Sequence, residues 1–225
     1  MQNQMADLAW RDGDVPVSTR FDDPYFSLEN GLAETRYVFL QGNGLPQRFQ
    51  GDFHIGELGF GTGLSFLTTV QAWEAAGCAG KLHFTSFEAF PMAPRDMAKA
   101  LGAFEGAGLR ASDLAAIWTP EGGVFDLTPS VSLNVIIGDA RETVARWHGR
   151  ADAWYLDGFS PAKNPELWDA RLMAEVGSHT APDGSFATYT AAGFVRRALD
   201  EAGFDVERIA GFGRKRHMTR GVRRP

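Results

Sequence analysis

The chain has 225 residues, 44% hydrophobic and 22% charged, with a net charge of −6, enough apolar material for one α/β domain or two small ones. A single cysteine, Cys78, excludes an internal disulfide and any multi-cysteine metal site. No apolar run is long enough to span a bilayer, and Met1–Asp7 lacks the basic and apolar regions of a leader, so the expectation is a cytoplasmic protein away from membranes.

Residues 1–50 are turn-rich, with breaker clusters at Asp22-Asp23-Pro24 and Gly42-Asn43-Gly44. Between them, Glu34–Leu40 reads as a strand of an N-terminal hairpin. From residue 53 strands and helices alternate. Phe53–Leu58 is a buried strand, and Leu64–Ala76 a helix with Leu64, Leu67, Val70 and Trp73 in rough register. Leu82–Glu88 is a strand, Arg95–Phe104 a helix, Leu133–Gly138 a strand and Ala140–His148 a short helix. Ala153–Leu156 is a strand, Glu166–Gly177 a helix, and Ser185–Tyr189 a strand after the Asp183-Gly184 turn. Phe194–Ala202 is a helix stopped by Gly203, and Asp205–Ala210 with Lys215–Val222 form a final antiparallel pair. The expected fold is α/β: an N-terminal extension (1–50) and a Rossmann-like, mostly parallel sheet with helices on both faces (51–225).

Ligands of such sheets bind beyond the carboxyl ends of the strands. There the chain places Glu57-Leu58-Gly59-Phe60-Gly61-Thr62-Gly63, with glycine at every second residue. Glycine tolerates positive φ and lets a backbone approach a ligand closely. A dinucleotide fingerprint needs a small residue where Leu64 stands, and a phosphate-binding P-loop needs a lysine that this turn lacks. Glu88 ends the second strand, where an acid accepts hydrogen bonds from both ribose hydroxyls. Asp139 follows a later strand, where an acid suits an adenine amino group and repels phosphate. An adenosine without phosphate is S-adenosylmethionine, and the order of the glycine turn, Glu88 and Gly138-Asp139 resembles class I methyltransferases. Asp157 ends a fourth strand and opens a loop rich in proline, glycine and aromatics, running to Trp168.

Charge is unevenly spread. From Arg208 onward there are seven basic residues and no acid, leaving 15 basic against 28 acidic in residues 1–207. An acidic body with a basic end suits a polyanionic partner, though a solvated tail would look the same.

Across most of its length the chain resembles one family: the methyltransferase domain of the bifunctional tRNA wobble-uridine enzyme MnmC and its stand-alone relatives. Asp22–Ser27, Glu34–Phe39, Glu57–Leu64 and Ser86-Phe87-Glu88 carry the resemblance. The most specific pieces are Leu156–Pro165, Ala192–Arg197 and Gly211–Arg216. The resemblance implies methylation of the primary amine of 5-aminomethyl-(2-thio)uridine in the anticodon stem-loop of tRNA. It implies a cofactor set of Glu57, Gly59, Phe60, Gly61, Thr62, Gly63, Glu88, Asp139, Ala140 and Asp157, with Asp157 also binding or deprotonating the amine. Phe159 and Pro161 would pack around the base, and Lys163, Arg196, Arg197, Arg214, Lys215 and Arg216 would contact phosphates. Within these 225 residues there is no second glycine fingerprint, which departs from the fused form, whose flavin-dependent oxidoreductase domain exposes the amine. Methylation of a small amine or a protein, and RNA binding without catalysis, stay open from the residues alone. No histidine spacing suggests a metal ligand set, and Trp73, Trp118 and Trp147 read as packing residues.

Overall fold

The computed structural model describes residues 5–11, 14–27 and 30–225; Met1–Gln4, part of the stretch read above for a leader, lies outside them. Three short strands, β1 (Leu8–Arg11), β2 (Val15–Ser18) and β3 (Asp23–Pro24), form a small antiparallel sheet. The expected strand at Glu34–Leu40 is instead helical: α1 (Gly31–Thr35) runs into a π-helical turn over Arg36–Leu40. Asn30 starts it, its side chain accepting from Ala33 N–H at 2.9 Å. Val38, Phe39 and Leu40 are then buried against the main sheet, where Phe39 stacks on Tyr155 at 5.1 Å. Burial of that face overrides the β propensity of the run.

The main sheet contains β4 (Phe53–Leu58), β5 (Leu82–Glu88), β6 (Gly123–Thr128), β7 (Val131–Ile137), β8 (Ala151–Leu156), β9 (Thr180–Thr188), β10 (Phe204–Ala210) and β11 (His217–Arg223). Their order is β10-β11-β9-β8-β4-β5-β7-β6. The central pairs are parallel, and β6, β10 and β11 add antiparallel edges. Helices α2 (Leu64–Ala76), α3 (Pro94–Gly102), α4 (Ala111–Ile117), α5 (Ala140–Thr143), α6 (Ala170–Ser178) and α7 (Gly193–Glu201) connect them. The helix expected over Glu166–Gly177 is broken: a 3₁₀ turn covers Pro165–Trp168, and Asp169 caps α6 by accepting from Leu172 N–H at 2.7 Å. Strand β6 and helix α4 went unread because β6 is a half-exposed edge with Gly122 and Gly123 at its start, and α4 is only seven residues long.

Alternate residues of each central strand feed two apolar layers. Ile55, Phe84, Leu133 and Tyr155 join α2, α3 and residues 38–49 on one face. Leu58, Phe87, Trp154 and Leu156 join α6 and α7 on the other. Gly56 is required between them: a Cβ there would lie 2.8 Å from the Trp154 ring on the neighbouring strand. Trp73 and Trp118 are buried, and Trp147 packs edge-on against Trp154 at 5.8 Å. No helix among the described residues is long and apolar enough to cross a membrane.

Candidate active site

From β4 the chain steps to β5 and β7 on one side, then returns to β8 and β9 on the other. The switch point lies between the carboxyl ends of β4 and β8, where such sheets open a crevice. Both loops specified by the sequence meet there. Gly59, Gly61 and Gly63 have φ of 82°, 55° and 76°, conformations costly for any residue with a Cβ. At Gly59 a Cβ would also stand 3.3 Å from the Gly158 Cα of the loop after β8.

A cavity of about 800 Å³ opens over this junction. Of the expected cofactor residues, Gly59, Phe60, Gly61, Thr62, Glu88, Asp139, Ala140 and Asp157 line it; Glu57 and Gly63 lie behind the turn. Glu57 is fully buried, which drives its carboxyl well above the ordinary range, opposed by the Ser86 hydroxyl that donates to it at 2.6 Å. That hydrogen bond ties it to β5, the neighbouring strand.

Glu88 is buried at the cavity wall. Its two oxygens accept from Gly61 N–H at 2.9 Å and Phe90 N–H at 2.7 Å. Burial raises its pKa, and backbone N–H groups of Gly61, Phe90, Phe60 and Ala89 pull it back. Of the four, only Gly61 and Phe90 stand at hydrogen-bond geometry, which uses two of the about four acceptor sites of a carboxylate and leaves capacity for ribose hydroxyls. Asp139 differs from expectation. Its carboxylate caps α5 and is gripped by the Arg141 guanidinium (Nε 3.0 Å from Oδ1), whose hydrogen bond lowers its pKa. Any adenine amino contact there would be shared with Arg141, which also lines the cavity.

Asp157 lies directly after β8 with its carboxylate accepting from Gly158 N–H at 2.8 Å. It is half-buried at the cavity edge, and desolvation pushes its pKa up to about 7 against the pull of Gly158 N–H and the Lys215 charge. Tyr189, after β9, donates to the Gly158 carbonyl at 2.8 Å and so fixes the backbone beside Asp157. Phe159 is half-buried between Phe21 (stacked, 4.7 Å) and Tyr25 (edge-on, 5.1 Å), while Pro161 lies outside the cavity lining.

Residues 20–27 carry no chemical signal in the sequence beyond the resemblance of Asp22–Ser27, yet they form part of the cavity. Phe21, Tyr25 and Phe26 line the cavity with Glu34, Phe39 and Tyr189. Burial, with the Glu88 charge, raises the Tyr25 pKa. Asp23 accepts from Ser160 N–H at 2.9 Å, and the Lys163 ammonium pairs with Asp22 and Asp23. Lys163, expected at phosphate, therefore clips the loop after β8 to the N-terminal segment.

The remaining basic residues divide. Lys215 lines the cavity and pairs with Glu34 at 2.6 Å. Arg196, Arg197, Arg214 and Arg216 lie outside its lining, the last three exposed. Arg196 is half-buried, with a buried Nε lacking a protein partner. Arg208, Arg216 and Arg196 gather near His217, where desolvation first and these charges next hold the imidazole below its ordinary range.

A family model described as S-adenosyl-L-methionine-dependent methyltransferase matches residues 114–224. The chain is 45% identical, over 98% of its length, to the tRNA 5-methylaminomethyl-2-thiouridine biosynthesis bifunctional protein MnmC of Chromobacterium violaceum, and 44% identical over 97% to that of Aeromonas hydrophila. The chain matches the methyltransferase domain of MnmC. It spans 35% of the length of these relatives. The crystal structure of MNMC2 from Aquifex aeolicus superposes with a TM-score of 0.75 at 24% identity, covering 98% of this chain and 71% of that one, which shows the MnmC-type fold. S-adenosylmethionine-bound CalS10, an amino pentose methyltransferase from Micromonospora echinaspora, superposes with a TM-score of 0.51 at 12% identity over 88% of this chain and 92% of that one. The fold is that of class I methyltransferases, and the family model that matches is one of S-adenosyl-L-methionine-dependent enzymes. The positive-φ glycine turn and the spare acceptor sites of Glu88 fit that cofactor.

Proposed function

We propose that this MnmC-type domain methylates the primary amine of 5-aminomethyl-(2-thio)uridine at the wobble position of tRNA, giving the 5-methylaminomethyl product. The observation that carries the reading is the place of Asp157: its carboxylate lines the cavity directly after β8, across the switch point from the glycine turn, in a chain matched almost end to end by enzymes named for that product.

When bound, S-adenosylmethionine supplies a methyl group on a sulfonium sulfur. The substrate amine would offer its lone pair to that methyl and so must be unprotonated at the moment of transfer, whereas an alkylamine reaches the site mostly as its ammonium form. Asp157 takes the proton, with a pKa near the working pH as a general base requires. Tyr189 and Gly158 hold the Asp157 backbone in place, and alignment of the amine lowers the barrier further. Phe159, Phe21 and Tyr25 form the apolar wall against which the extruded base sits and water is excluded. Glu88 and the glycine turn hold the adenosine end. Arg196, Arg197, Arg214 and Arg216 contact phosphates of the anticodon stem-loop. A flavin-dependent oxidoreductase acting upstream exposes the amine.

The test is nucleoside mass spectrometry. Transfer RNA carrying 5-aminomethyluridine, incubated with the protein and labelled cofactor, gains one methyl on the wobble nucleoside. No gain, or equal transfer to polyamines, overturns the substrate assignment.

A further inference from the structure

Lys215 differs from the basic residues on either side of it. Arg214 and Arg216 are not among the residues that line the cavity, whereas Lys215 is. Its ammonium sits 2.6 Å from Glu34 Oε1 and 4.4 Å from the centroid of the Tyr189 ring. That ring carries the hydroxyl bonded to Gly158 beside Asp157. The turn bearing Lys215 is itself anchored: Tyr37 donates to the Ala210 carbonyl at 3.1 Å and packs on Phe212 at 5.7 Å. The Glu34 side chain is only 14% exposed, so a phosphate that drew Lys215 outward would leave a largely buried carboxylate unpaired.

We infer that Lys215, half-exposed and held by Glu34 and the Tyr189 ring at the cavity wall that carries Asp157, is a positioning residue that supplies positive charge there, and not a phosphate contact. The inference deepens the amine-methylation reading and rests on it for its kinetic test. The groups around Asp157 are Lys215 from the β10–β11 turn, Glu34 from α1, Tyr189 after β9 and Glu57 from β4. Lys215 is the cation among them. It favours the ionised carboxylate that accepts the amine proton, whereas Glu34 opposes it. Both effects converge on one acid with opposite sign.

The experiment uses the full chain with Lys215→Met, Lys215→Arg and Glu34→Gln. The acid limb of kcat/KM on 5-aminomethyluridine tRNA is expected to move up by about half to one pH unit in Lys215→Met, a three- to tenfold loss at pH 6.5 that recovers above pH 8.5. Glu34→Gln is expected to move it down, and Lys215→Arg to restore it. The salt slope of binding stays unchanged. A limb that stays in place, with KM raised at every pH and a salt slope reduced by about one, overturns the inference in favour of a phosphate contact. A second measurement is independent of substrate. The melting-temperature difference between Asp157→Asn and its parent is followed against pH with and without Lys215→Met. Its midpoint is expected to rise with Lys215→Met; an unmoved midpoint overturns the inference. Failure of the wild type to methylate tRNA would sink the substrate reading and leave this thermal result standing.

Discussion

The cavity wall made by the ends of β4 and β5 and the wall made by the loop after β8 with residues 20–39 are held by different forces. In the first, backbone N–H groups of the glycine turn donate to the adjacent strand end: Gly59 N–H to Phe87 O at 2.9 Å, and Gly61 N–H to the Glu88 carboxylate. In the second, segments more than a hundred residues apart are joined by side chains: Asp23 to Ser160, Asp22 and Asp23 to Lys163, Glu34 to Lys215. Regular backbone hydrogen bonding gives a preformed cofactor cradle. Ion pairs and aromatic edges, each worth little in water, give a substrate wall that can be loosened without unfolding the sheet.

That contrast can be broken most sharply at Asp157. Asp157→Ala should lower turnover about a hundredfold or more, measured in single turnover with saturating cofactor, while cofactor affinity by calorimetry changes far less. A loss under about threefold would remove its role as base. On the opposite wall, Glu88→Gln should weaken cofactor binding by about 10- to 100-fold, because it unpairs a buried N–H and a charged acceptor. Calorimetry with S-adenosylmethionine checks this, and turnover at saturation should fall much less.

The pH response follows from the raised pKa of Asp157. In the folded chain it keeps its proton up to about pH 7, whereas an unfolded aspartate releases it near pH 4. The folded state therefore binds the extra proton between these values, and stability falls as pH rises through that window. Asp157→Asn should melt about 2–6 °C above the wild type at pH 8 and close to it at pH 4. Equal differences at both pH values would show that burial does not perturb this carboxyl. The smallest expected effect is at the clip. Lys163→Ala should cost about 0.2–1 kcal/mol of stability and raise KM for tRNA a few-fold, leaving cofactor affinity unchanged. A weakened cofactor affinity would show that the two walls are coupled.

The residues alone determined the parallel core and the cofactor class. β4, α2 and β5 have the bounds read from the sequence, since apolar runs ended by glycine or acid are local signals. The glycine turn and Glu88 needed only their place at strand ends. Tertiary structure decided what depended on distant partners. Glu34–Leu40 became helical because its apolar face is buried on Tyr155, and Glu34 could then reach Lys215. Lys163 and Asp139 line the cavity and also pair with Asp23 and Arg141, because a charge pairs with whatever the fold brings near it. Charge in a sequence states what a side chain can bind; only packing decides which partner is within reach.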